Sequence, residues 1–172
     1  MNYTDIIIEL RKKLDIPVGR HLYGVLGTYK KLDIFSQELQ RASLSDGNTF
    51  PAPLSVNEGI INAFSDEEFR EIVKNEARRP EPTRMSVRNA FEAFLRENFA
   101  KSELLILEDL ELIFAYDIDL SPLRTMATDE RRIVLLLPGK RSGERLVMYP
   151  AVDGEYKLPR SLITDDHLWE VK

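Results

Sequence analysis

Apolar residues recur at helical spacing across Thr4–Leu14, where Ile7, Ile8, Leu10 and Leu14 are interleaved with Glu9, Arg11, Lys12 and Lys13. This pattern predicts an amphipathic first helix, ended by the stretch that holds Pro17 and Gly19. HLYGVLGTYKKL then reads as a short apolar strand entering a two-glycine turn, with KKLDIFSQELQRA as the helix after it. Beyond the polar segment Ser45–Thr49, FPAPLSV predicts a second strand that Pro51 and Pro53 shorten or confine to a sheet edge.

The middle of the chain is helical in pattern. Ser65 and Glu68 form the Ser-x-x-Glu signature of a capping box ahead of a helix ending near Arg79. PEPT is expected to break the chain before a longer helix from about Arg84 to Phe99, whose Val87, Phe91, Phe94 and Leu95 share a packing face. The unbroken run Leu104–Leu107, stopping at Glu108-Asp109, predicts a central strand covered on both faces. Ile133–Leu137 repeats the pattern and is expected to stop at Pro138-Gly139. Two buried runs separated by a mixed segment imply a crossover and a parallel sheet. Gly143 and Gly154 flank an alternating segment suited to a peripheral strand or hairpin, and Leu168 and Trp169 offer a docking point on the core or on a partner.

Composition narrows the class. With 172 residues, 43% of them hydrophobic, the chain suits one domain over 1–172, with a first helix at 3–14 and a C-terminal extension from about 158 to 172. No run of about 18 apolar residues occurs, and the basic residues near the start follow the apolar ones, opposite to a secretory signal. The expectation is a cytoplasmic chain without membrane association. Cysteine is absent and the two histidines, His21 and His167, stand far apart, which leaves no thiolate metal site. With 24 basic and 29 acidic residues the net charge is −5, so general attraction to nucleic acid is not expected. The short basic pairs Lys12-Lys13, Arg78-Arg79, Arg131-Arg132 and Lys140-Arg141 read as solvated surface charge.

Candidate chemistry lies at two places. A phosphate-cradling loop needs a strand, a glycine-rich turn and a helix whose first amides face the anion, with a lysine at the helix start. Gly24-Val25-Leu26-Gly27-Thr28-Tyr29-Lys30-Lys31 has that order, and Gly24, Gly27, Thr28, Lys30 and Lys31 are its candidate binding residues. Against the pattern G-x-x-x-x-G-K-[ST], Gly24 and Lys30 match, while Tyr29 replaces the last glycine and Lys31 the hydroxyl residue that would hold Mg²⁺. The turn is equally readable as a plain structural one. The second place is Glu108-Asp109, where an acid for a metal (Glu108) and one to activate water would stand after a core strand. The same pair could instead cap a helix over Leu110–Phe114. Arg131 or Arg132 is a weaker candidate for contacting a phosphate in a neighbouring subunit.

The segments GVLGTYKK, LSVNEGIINAF, LLILEDLELIFAYDIDLSPLR, RRIVLLLPG and LVMYPAVDGEYK together resemble the small P-loop family called BrxF, of the bacteriophage-exclusion (BREX) defence systems of bacteria. The resemblance covers roughly residues 20 to 157. It implies an α/β fold of P-loop NTPase type, a three-layer sandwich with a mostly parallel central sheet. In that fold an extra strand, here Ile133–Leu137, stands between the phosphate-loop strand and the acidic strand. By position it matches Gly24, Gly27 and Lys30 to the phosphate loop and Glu108 to the metal-binding acid, with Asp109 beside it. It further implies ATP as ligand and larger defence proteins as partners, with a homo-oligomer also open.

Three functions compete on this basis. The first is a degenerate, pseudo-ATPase accessory component of an anti-phage defence system, acting through protein partners. The second is an ATP-binding protein or weak ATPase of the same system. The third is a nucleic-acid-binding accessory using Arg84, Arg88 and Arg96, which the acidic balance disfavours.

Overall fold

The computed structural model describes residues 1–149 and 156–172. Its elements run α1 (Tyr3–Leu14), β1 (Leu22–Gly27), α2 (Tyr29–Arg41), β2 (Leu54–Ser55), α3 (Val56–Asn62), α4 (Asp66–Asn75), α5 (Pro80–Phe99), β3 (Leu104–Glu108), α6 (Glu111–Ala115), α7 (Ser121–Met126), β4 (Arg132–Ser142), β5 (Arg145–Met148), β6 (Tyr156–Leu158) and β7 (Leu168–Glu170). The main sheet has the order β2-β3-β4-β1-β7. Every pair along that path is parallel. The chain is thus α/β with a mostly parallel sheet, an arrangement that fits a three-layer sandwich.

Strand residues alternate between the two faces, and this divides the core. Leu22 and Leu26 of β1, Leu105 and Leu107 of β3, Ile133, Leu135 and Leu137 of β4 and Leu168 of β7 face a cluster built with α3, α5, α6 and α7. Tyr23 and Val25, Leu104 and Ile106, Val134 and Leu136, and Trp169 face the other layer, made by α1 and α2. Burial on both sides explains why β3 and β4 read as continuous apolar runs; each such aliphatic side chain contributes about 1.5–3 kcal/mol when fully buried.

Several elements differ from the sequence expectation. PEPT does not break the chain: α5 begins at Pro80, with proline in its first turn, where the missing N–H has no helical partner to lose. Ile133–Leu137 does not stop at Pro138-Gly139. β4 continues to Ser142, and its last residues pair antiparallel with β5, Gly139 opposite Met148. Gly139 permits this, because a Cβ there would meet the Val147 carbonyl oxygen at 2.7 Å and Met148 Cε at 2.5 Å. Gly143, at φ +60°, turns the chain between the two strands. The expected hairpin exists as β5 and β6, while Gly154 lies outside the described residues.

Other expectations hold. β2 is a two-residue edge strand, and the Ser65–Glu68 capping box forms with both hydrogen bonds. Leu168 and Trp169 dock on the core as β7, paired with β1. No helix among the described residues is long and apolar enough to cross a membrane.

Candidate functional site

β1 and β3 are parallel to β4, so their C-terminal ends reach the same edge of the sheet, and β4 lies between them. The two places singled out in the sequence therefore meet there. The expected two-glycine turn does not form: Gly24–Gly27 is strand throughout, and Thr28 alone separates β1 from α2. Residues 24–27 pair with Leu135–Pro138 on one side, and residues 24–26 with Leu168–Glu170 on the other. A Cβ at Gly24 would meet Leu168 Cδ1 at 2.7 Å and Ile163 Cδ1 at 2.9 Å, so this glycine serves close packing in the core. Backbone held by two neighbouring strands cannot curl around an anion.

The start of α2 is closed by its own residues. Thr28, the N-cap, accepts a hydrogen bond from the Lys31 amide at Oγ1 (3.4 Å), and its carbonyl accepts from the Leu32 amide (2.9 Å). Tyr29, at the first helical position, donates its hydroxyl to Glu111 Oε1 at 3.0 Å. Burial, followed by the Glu111 bond, pushes the Tyr29 hydroxyl up to about 12, so it remains a donor at neutral pH. Its ring lies 6.3 Å from that of Tyr149, which meets Phe114 edge-on at 5.5 Å. Lys30 is exposed and Lys31 partly so, and among the described residues neither forms an ion pair.

Glu111 is held from its other side by Asn57 of α3, whose Nδ2 donates to Oε2 at 2.7 Å. Asn57 Oδ1 accepts from the Leu112 amide at 3.0 Å, and the Asn57 amide donates to the Asp109 carbonyl at 3.0 Å. Asn57 therefore caps α6, and neither Glu108 nor Asp109 does so with its side chain. Asp109 takes φ 53°, the left-handed region, as the chain leaves β3. Glu108 is partly buried; burial first, then the charges of Asp109 and Asp33, raises its carboxyl above the usual range. Among the described residues no group of three or more His, Cys, Asp or Glu is arranged to hold a metal ion. The residues present do not fit a triphosphate cradle, because the backbone that should form it is paired in the sheet. No family model, curated protein or solved structure matches the chain.

The candidate arginines Arg84, Arg88, Arg96, Arg131 and Arg132 lie elsewhere. Arg132 opens β4 at the opposite edge of the sheet, 3.9 Å from Glu103, and Arg131 lies over the Phe99 ring at 5.5 Å. Arg84 pairs with Glu81, while Arg88 and Arg96 both pair with Glu92, which offsets the charge a nucleic acid would meet. Asn57 and Glu111 carry no motif. Asn57 lies 54 positions from Glu111 and Tyr29 lies 82 from it, and only the parallel packing of β1, β2 and β3 brings the three together.

Proposed function

We propose that this chain is a P-loop-like domain that does not hydrolyse nucleotide and acts through protein partners, as an accessory component of a bacterial anti-phage defence system. The strand order supports the fold part: β4 lies between β1 and β3, the arrangement that the resemblance to the BREX family implies. The observation that carries the loss of hydrolysis is the one-residue junction at Thr28, which leaves no loop between β1 and α2, with the Tyr29 hydroxyl bonded to Glu111 at the start of α2. Action through partners is supported by the apolar side chains that α3 and α4 leave exposed around one concavity, Ile61, Phe69 and Val73, since such clusters mark interaction surfaces. The defence-system assignment rests on the sequence resemblance.

The alternative, an ATP-binding protein or weak ATPase, has in its favour the uncompensated carboxylates Glu108 and Asp109 near a helix start that carries Lys30 and Lys31. Thermal unfolding with and without saturating Mg-ATP separates the two, because a ligand of the native state raises Tm. The expected result is the same melting curve for the wild type and Lys30→Ala whether or not nucleotide is present. An ATP-dependent rise that Lys30→Ala abolishes would overturn the proposal.

A further inference from the structure

The opposite end of β1 holds a different kind of site. A cavity of about 220 Å³ opens beside Leu22, lined by Arg20, Arg124, Ser161, Leu162, Thr164 and His167. It lies one strand length, roughly 20 Å, from the Thr28 junction. Its lining contains two guanidinium groups and no carboxylate. Among the described residues, neither Arg20 nor Arg124 has a hydrogen bond or ion pair, in a chain whose net charge is −5.

The acids nearest in sequence are already engaged. Asp165 pairs with Arg141 and Arg160, Asp166 with Lys13 at 2.6 Å, and Asp129 accepts the Gly19 amide at 2.7 Å. Ser161 and Thr164 add hydroxyl groups to the lining. His167 is fixed by its Nδ1, which donates to the Leu22 carbonyl at 3.3 Å. Two unpaired guanidiniums with a hydroxyl in one concavity suit a tetrahedral oxyanion, because each planar fork can donate two parallel hydrogen bonds to it.

We propose that this cavity is a binding site for a phosphate group, either free phosphate or the phosphate of a small ester. The site is independent of the nucleotide question at the other end of the sheet. Inorganic phosphate and ribose 5-phosphate are titrated into the full-length chain at constant ionic strength, with thermal unfolding and ³¹P NMR as readouts. The expected result is a saturable rise in Tm and line broadening, with affinity falling about tenfold in either Arg20→Ala or Arg124→Ala and no response in the double variant. Both arginines are exposed, so the double variant should keep the wild-type circular dichroism and ligand-free Tm. Equal affinities for the two probes identify free phosphate as the ligand, and tighter binding of ribose 5-phosphate identifies an ester. No saturable response in the wild type, or an undiminished one in the double variant, overturns the assignment.

Discussion

The Tyr29 hydroxyl donates to Glu111 at 3.0 Å, tying the first turn of α2 to the helix that follows the acidic tip of β3. Asn57 holds the second oxygen of the same carboxylate, so α2, α3 and α6 converge on one side chain. Removing one donor leaves a partly exposed carboxylate that water can resolvate. Tyr29→Phe is therefore expected to lower stability by only about 0.5–1.5 kcal/mol, measured by urea unfolding.

Restoring the consensus side chains tests whether backbone or side chain blocks nucleotide binding. Tyr29→Gly combined with Lys31→Thr supplies the missing glycine and hydroxyl, yet residues 24–27 remain paired to β4, and 24–26 to β7. The double variant is expected to stay insensitive to Mg-ATP in calorimetric titration. Saturable binding there would mean that the side chains alone had closed the site.

Gly139→Ala is expected to destabilise the chain by about 1–3 kcal/mol, because its new Cβ would meet the fixed Val147 carbonyl oxygen at 2.7 Å. Gly24→Ala meets only the methyl ends of Leu168, Ile163 and Leu137 and should be milder in the same denaturant series. The reverse ranking would contradict the placement of the β4–β5 turn.

Glu108 carries a raised carboxyl, so the native state holds its proton more tightly than the unfolded chain does. Its charged form penalises folding above its native-state value, and the penalty disappears below the ordinary value of 4.5. Glu108→Gln should raise Tm at pH 7 by a few degrees at most, with the gain shrinking as pH falls toward 4.5. A loss of stability at pH 7 would show instead that the carboxylate is compensated.

His21 is buried, with Nδ1 2.7 Å from the Tyr23 hydroxyl, which itself donates to the Lys13 carbonyl at 3.1 Å. The tyrosine has one proton to give, so Nδ1 carries the hydrogen of the neutral ring. Burial first, then Arg132, lowers the imidazole below its ordinary 6.5; His167 adds to this and Asp129 opposes it. The unfolded state thus binds the proton more readily, and stability should fall as pH drops below 6.5, levelling only beneath the native-state value. His21→Asn is expected to flatten the Tm profile between pH 7 and 5 relative to wild type; an unchanged slope would assign the effect to other groups.

Local sequence patterns, the unbroken apolar runs of β3 and β4, the helical spacing of α1 and α2 and the Ser65–Glu68 signature, were enough to predict β3, the core of β4, α1, α2 and the capping box before α4. Those features depend on residues within a turn or a strand of one another, where spacing alone decides which face is buried. The same information misplaced the Gly24–Gly27 segment, because glycine is as compatible with tight packing as with a turn. The choice fell to Leu168 and Ile163, more than a hundred positions away, whose methyl groups occupy the space a side chain would need. Glu108 and Asp109 were visible as the end of an apolar run. The convergence of Tyr29 and Asn57 on Glu111 was not, since long-range pairing through β2, β3 and β1 is what assembles them. Local periodicity sets the layers of this protein, whereas the form of the β1 tip depends on which strands flank it, a long-range pairing that no local pattern encodes.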